Sequence, residues 1–448
     1  MFSFSSYSTH AVVKWRVCLK YLLNQVKGII SHEFNHVLER WILKKSGSSG
    51  IYYGFVIVAV CFLLQAVGWG VFNSLGIFFK PLMTEFGWPR SLVASSISIG
   101  MLVVGSNAIL LGRLGDTYGP RLTMAVSGIF LGCGLILMSR VTTLWHMYLS
   151  LSLVAAIGIS GTDVVLLSTA TRWFIKYRGM MTGIVKVGTG VGMLIMPLLI
   201  TYLISTYGWR TTFVVLGIVC LVAYISGSQL LVRDPGKKGL AAYGSGEKIL
   251  PDNKGVEEGM RLRAAVRTVP FWLISSGYFI ILFCVVTILM HVVPHAIDLG
   301  ISPSNAANIL ATVGAMSIAG RFIMGGAGDR IGNRSALLIC FACLITGTVW
   351  LQFADNLWML LLFAVVHGFA HGGFFALIAP ILADYFGTRD QGVILGIVIF
   401  ISNVGSAIGP VLAGYIFDVT GSYQVMFMAL TGLSMAGLCA AYVLKPVK

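Results

Sequence analysis

Charge is what this sequence has least of. Of 448 residues only 10% are Asp, Glu, Lys or Arg, against 57% hydrophobic, and the mean hydropathy is +0.88. So few charged groups cannot clothe a water-soluble globule of this size, so the natural solvent is lipid. Also missing is any cysteine in an outer loop. All eight (Cys18, Cys61, Cys133, Cys220, Cys284, Cys340, Cys343 and Cys439) lie in apolar stretches, which excludes a disulfide framework. Cys340 and Cys343 form a CxxC, but no His or second Cys pair stands near them, so no metal site is expected there. No nucleophile, acid pair or cofactor motif appears between the apolar runs. Neither an enzyme nor a bound cofactor is expected.

What is present is repetition of long apolar runs, about twelve of them. They centre near Val60, Ile99, Phe130, Ala155, Val191, Gly217, Ile281, Val313, Leu344, Phe363, Val398 and Met435. A bilayer core needs roughly 20 apolar residues per helical span and leaves an open strand edge unsatisfied, so these runs predict an all-α membrane bundle. An even number of spans puts both termini on one side. The net charge of +15 does not point to nucleic acid, because the basic residues fall between spans rather than along one face of a soluble domain. Of 31 Lys and Arg, about 25 sort to the side of the N-terminus and about four (Lys80, Arg90, Arg140 and Arg210) to the other. That bias predicts an integral protein of a cell (inner) membrane with cytoplasmic termini and a cytoplasmic 233–269 loop. The remaining two, Lys186 and Arg321, fall inside spans.

Residues 1–50 mix Lys14, Arg16, Lys20, Lys27, Arg40, Lys44 and Lys45 with Trp15, Leu22, Ile29, Phe34, Val37, Leu38 and Trp41, and end in Ser46-Gly47-Ser48-Ser49-Gly50. They read as a basic interfacial helix and a flexible joint, either a contact for the membrane surface or another protein, or a dispensable extension. No signal peptide is expected, since no apolar core precedes a small-residue cleavage site.

A shift of 213 residues lays Gly112, Gly115, Asp116, Gly119 and Arg121 on Gly325, Gly328, Asp329, Gly332 and Arg334. The register persists downstream, where Gly179, Gly192, Pro197 and Gly208 meet Gly392, Gly405, Pro410 and Gly421. A gap-free repeat of six spans predicts two pseudo-symmetric six-helix bundles, 51–232 and 270–448, joined by the 233–269 linker, with a substrate site between them near the midplane. In the repeated loop, glycines permit a tight turn and close helix approach, and the acid can cap a helix N-terminus.

This loop, Gly112-Arg113-Leu114-Gly115-Asp116-Thr117-Tyr118-Gly119-Pro120-Arg121, resembles the one between helices 2 and 3 of the major facilitator superfamily. Its second copy, Gly325 to Arg334, falls between helices 8 and 9 as in that family. The resemblance covers roughly residues 51–448. It implies that Gly112, Asp116, Gly119, Arg121, Gly325, Asp329, Gly332 and Arg334 form a conformational latch, where the plainer reading is ordinary turn formers. It also implies that spans 1, 4, 7 and 10 line a cavity and that 3, 6, 9 and 12 face lipid. Three segments resemble the monocarboxylate transporter and oxalate/formate exchanger branch: Gly76-Ile77-Phe78-Phe79-Lys80-Pro81 with Phe86-Gly87-Trp88-Pro89-Arg90, Trp173 to Gly179, and Val269 to Leu273. Met196, not Gly, precedes Pro197, unlike the drug/proton antiporters.

An ionised side chain at mid-membrane costs roughly 2.5–3.5 kcal/mol on insertion scales, so each one retained there needs a partner, water or a purpose. Asp163 in the fourth span, Lys186 in the fifth and Arg321 in the eighth are the clear cases, together with His291 in the seventh and His367 and His371 in the tenth. Counted along each helix, Asp163, Lys186 and Arg321 all sit roughly 10–14 Å from the cytoplasmic ends. Antiparallel neighbours would let Asp163 and Lys186 face each other. Their repeat equivalents are Ala376 and Ile399, so this pair belongs to one half only. Lys186 either pairs with Asp163 or contacts substrate or a coupling proton.

Arg321 is the candidate anion binder, because its planar fork matches a carboxylate and stays charged at any relevant pH. The resemblance to monocarboxylate transporters implies the same role at this position; snorkelling to the interface is the alternative. That family's proton-relay positions hold Ser317 and Asn73 here. Ser317, Asn73 and Gln65 are read as lining the path, with Lys186 as a second cation. Asp163, His291, His367 and His371 are candidates for the coupled proton. Each histidine is also readable as a packing residue. The i, i+4 pair His367 and His371 lacks a third metal ligand, so no metal is expected.

The implied function is secondary transport of a small organic anion, a monocarboxylate such as lactate, pyruvate or formate, coupled to protons or to a counter-anion. Efflux of a neutral or cationic compound would favour an acidic cavity without Arg321. A non-transporting membrane receptor or assembly factor of the same fold is the third possibility.

Overall fold

The computed structural model describes residues 52–245 and 259–444. The basic N-terminal segment and Cys18 lie outside the described residues. The apolar runs fold as α1 (Tyr53–Asn73), α2 (Arg90–Tyr118), α3 (Pro120–Met138) and α4 (Leu144–Trp173). After the linker come α7 (Val269–Asp298), α8 (Pro303–Ile331), α9 (Asn333–Leu351), α10 (Leu357–Phe386), α11 (Gln391–Thr420) and α12 (Gln424–Val443).

Between them one helical stretch runs 53 residues, Arg178–Leu230. At 1.5 Å per residue it would be ~80 Å long, far beyond a bilayer core of roughly 30 Å. It is two spans. The break is Gly208 (φ 78°, ψ 162°), a conformation that costs a side-chain-bearing residue steric strain, and it separates α5 (178–207) from α6 (209–230). The result is an all-α membrane protein of twelve transmembrane helices in two pseudo-symmetric six-helix bundles. Alternating direction puts the start of α1 and the end of α12 on one side, called here the terminal face.

The bundles meet through two equivalent pairings, α2 with α11 and α5 with α8. Small residues let these backbones touch: a Cβ at Gly392 would fall 2.7 Å from Gly112 O, and one at Gly325 would fall 2.5 Å from Gly179 O. In lipid, close packing of this kind replaces the hydrophobic drive that water gives a soluble core. Both linker ends dock on the terminal face at repeat-related loops. Tyr243 N donates to Trp173 O at 2.9 Å, and its carbonyl accepts from Ile175 N and Lys176 N. Met260 N donates to Phe386 O at 2.8 Å. On the opposite face a short helix, Phe79–Phe86, is tied to the α5–α6 corner by Trp209 Nε1 donating to Glu85 at 2.7 Å and by the Arg210–Glu85 ion pair.

Candidate functional site

Helix geometry brings three of the membrane-embedded charges into one group. Antiparallel α4 and α5 place Lys186 Nζ 2.6 Å from Asp163 Oδ1. The same oxygen accepts from Gln65 Nε2 at 2.8 Å and Trp69 Nε1 at 3.1 Å, both on α1. Gln65 is oriented in turn by Thr189 of α5, whose hydroxyl donates to Oε1 at 2.8 Å. Three donors thus converge on one carboxylate oxygen, two of them neutral and the third the buried Lys186 side chain. Lys186 also lies over the Phe375 ring of α10, 5.3 Å from its centroid, a favourable place for a desolvated cation.

Arg321 enters from α8 and is differently furnished. It is 3% exposed, yet its Nε and Nη1 have no hydrogen-bond partner. The guanidinium rests on α5 at Gly190, where a Cβ would come 2.8 Å from Nη1. Its own backbone is pressed by α10, because a Cβ at Gly372 would lie 2.8 Å from Arg321 N. The charge of Asp163 reaches Arg321, and Arg321 and Lys186 feel one another. An unpaired buried cation is costly unless an anion completes it. The group can therefore hold one further negative charge, offered bidentately by a carboxylate.

Closer to the terminal face, the repeated motif makes a reciprocal grip. Asp116 accepts from the backbone of Gly392 (3.1 Å) and Val393 (2.9 Å) at the start of α11. Asp329 accepts from Gly179 and Met180, both at 2.7 Å, at the start of α5. Each bundle thus caps a helix N-terminus of the other with a carboxylate, where the helix dipole favours negative charge. Asp116 also pairs with Arg172 at 2.6 Å, and Arg172 crosses to Thr388 O (2.9 Å) and Arg389 O (3.3 Å). Arg121 and Arg334 serve their own bundles: Arg121 donates to Gln229 and Arg334 to Tyr442 O, again residues 213 apart. Gly119 and Gly332 make the tight turns that follow, with φ of 88° and 85°.

The remaining residues read from the sequence are placed as follows. His371 is on the same face as the charged group and feels Arg321, His367 and Lys186; its Nδ1 has no partner. His367 is fully buried with both ring nitrogens unpartnered, stacked on Phe363 at 5.2 Å. Ser317 is buried, but its hydroxyl donates to Gly314 O at 2.8 Å within its own turn. Two residues are not brought to the group. Asn73 is exposed at the far end of α1, about 12 Å along the helix from Gln65, with its amide on Trp69 O. His291 sits near the opposite face between Tyr423 OH (3.2 Å) and Pro410 O (3.0 Å). Trp69, Thr189, Gly190 and Phe375 were not read from the sequence. The available signal was spacing: Trp69 is one turn from Gln65, and Thr189 and Gly190 are one turn from Lys186.

Comparison with known proteins bears on the family and the fold. The family model for the Major Facilitator Superfamily matches residues 58–297 and 285–448. Monocarboxylate transporter 13 of Bos taurus is 28% identical over 391 residues, covering 86% of this chain and 88% of its own length. Monocarboxylate transporter 11 of Homo sapiens is 26% identical, covering 86% and 81%. Among solved structures, a proton:xylose symporter superposes with a TM-score of 0.69 at 15% identity, over 87% of this chain and 95% of its own. A human organic anion transporter gives 0.66 at 15% identity, over 87% and 99%. These two show the shared fold. With twelve spans, a doubled motif and a family match across both bundles, this chain belongs to the Major Facilitator Superfamily and is related to the monocarboxylate transporters.

Proposed function

We propose that the protein carries a small organic anion, a monocarboxylate such as lactate, pyruvate or formate, across a cell membrane by alternating access, coupled to a proton. The observation that carries this reading is Arg321, a guanidinium 3% exposed with two nitrogens lacking partners. Breaking a buried ion pair costs about 3–5 kcal/mol, so an unaccompanied guanidinium at this depth is a strong acceptor for a carboxylate. The relatives named monocarboxylate transporters support the same substrate class. The charged group also argues against efflux of a cation, since Lys186 and Arg321 outnumber Asp163.

In this reading both termini and the 233–269 linker are cytoplasmic, and the 51–232 and 270–448 bundles are the bodies that rock. The Asp116 and Asp329 grips close the cytoplasmic side. Inward opening must break both, exposing Arg321 on that side. Lys186, Asp163, His367 and His371 are the titratable groups on the spans that meet at this position. The test is counterflow of labelled lactate, pyruvate, formate and oxalate in proteoliposomes. Arg321→Ala is expected to abolish counterflow of every carboxylate the parent accepts; undiminished counterflow would remove the proposed site.

A further inference from the structure

We propose that Lys186 carries the coupled proton, with Asp163 acting as a counter-ion shared in turn between Lys186 and Arg321. This rests on the reading of Arg321 as the anion binder, and deepens it by naming how the empty carrier stays neutral.

The argument is a count of charge. Lys186 is 3% exposed. Around it are Asp163 from α4 at 2.6 Å, the Phe375 ring of α10, His371, whose ring lies 5.1 Å from that of Phe375, and Arg321 from α8, whose Nη1 packs at Gly190 one turn along α5. Gln65, Trp69 and Thr189 complete the shell and carry no charge. Two cations and one carboxylate leave an excess of one positive charge. A bound monocarboxylate cancels it. When the anion leaves, the excess returns, and a buried unpaired charge opposes reorientation of the empty carrier.

Only one change of protonation restores neutrality. Protonating Asp163 or His371 would raise the excess to two positive charges. Loss of the proton from Lys186 removes it, and a lysine with a buried ammonium is a side chain able to do this, whereas an arginine is not. The Lys186 N–H bond breaks, its electron pair stays on Nζ, and the proton leaves with the anion to the same compartment. Asp163, no longer needed by a neutral amine, turns to Arg321. On the other side a proton adds to Nζ, Asp163 returns to the ammonium, and Arg321 is freed for the next carboxylate. One proton moves with one monoanion. The arrangement observed, with Asp163 on Lys186 and Arg321 open, is the protonated, anion-ready form. The acid is drawn toward Lys186 by the amide and indole of α1, which hold Oδ1 where the ammonium meets it.

The test is calorimetry of lactate binding to purified protein in buffers of differing ionisation enthalpy, paired with uptake into proteoliposomes across a pH step. The parent is expected to take up about one proton per lactate bound, and to accumulate lactate about tenfold for a step of one pH unit. Lys186→Arg, which keeps the charge but cannot release it, is expected to bind lactate with no proton uptake and to lose pH-driven accumulation. Asp163→Asn combined with Lys186→Gln removes the pair without changing the net charge, and is expected to do the same; it stands in if the arginine does not fit. Proton uptake or pH-driven accumulation persisting in both variants would overturn the proposal. So would a parent that exchanges lactate but takes up no proton, with the anion reading intact. A parent that neither binds nor exchanges any carboxylate would instead remove the anion reading.

Discussion

The seam near the terminal face and the charged group deeper in the membrane obey opposite rules. At the seam nearly every contact has a copy: Asp116 on Gly392 and Val393 answers Asp329 on Gly179 and Met180, and Arg121 with Gln229 answers Arg334 with Tyr442. Even where chemistry differs the positions agree. Thr171 bonds Gln391 at 2.5 Å, and the residues related to them, Asp384 and Arg178, form an ion pair at 3.5 Å. Roughly two turns deeper the symmetry stops, because Asp163 and Lys186 face equivalents that are Ala376 and Ile399. In the proposed reading, two bundles that rock about a common axis need matched latches. The singly charged substrate proposed above needs an unmatched site.

The comparison breaks first at the two motif aspartates. Each caps two backbone donors, and losing a cap costs about 1–2 kcal/mol. Asp116 also neutralises Arg172, whose side chain is 4% exposed. Asp116→Ala is therefore expected to lower the unfolding temperature of the detergent-purified protein more than Asp329→Ala does, with an additional cost approaching 3 kcal/mol. Equal shifts would mean that Thr388 O, Arg389 O and Asp234, 3.9 Å away, satisfy Arg172 without Asp116. A smaller effect sharpens the deeper half of the comparison. Gly190→Ala would drive a methyl into Arg321 Nη1, at 2.8 Å, and is expected to weaken carboxylate binding about tenfold, or ~1.4 kcal/mol. Asn403, the repeat equivalent of Gly190, meets Gly105 instead, 3.0 Å from that glycine's Cβ position. Asn403→Ala is expected to leave carboxylate binding within twofold, measured by the same titration.

The sequence carried the architecture because lipid imposes it: long apolar runs are legible as spans, and a repeat held in one register is legible as two bundles. The Gly208 break was foreshadowed by its partner Gly421, which ends α11 in a left-handed conformation. The Asp163–Lys186 pair was legible because two charges on adjacent antiparallel helices at equal depth have few alternatives. That each motif aspartate reaches the other bundle was not legible, since a linear motif names a donor-seeking acid but not the helix it caps. Asn73 was read as part of the site from its position in the resemblance, but it lies beyond the last turn that faces Asp163. Trp69 and Thr189 escaped notice because uncharged hydrogen-bonding residues in apolar helices look like ordinary packing until an acid is placed beside them.

The account turns on one buried guanidinium recognising a negative charge. The most direct measurement compares lactate with lactamide, its uncharged isostere, in calorimetric titrations of the parent and of Arg321→Gln. The parent is expected to favour lactate by at least 30-fold, corresponding to about 2 kcal/mol or more for a hydrogen-bonded buried charge pair. Arg321→Gln is expected to bind the two compounds alike. A variant that still prefers lactate by the parental factor would place the anion elsewhere and contradict the account.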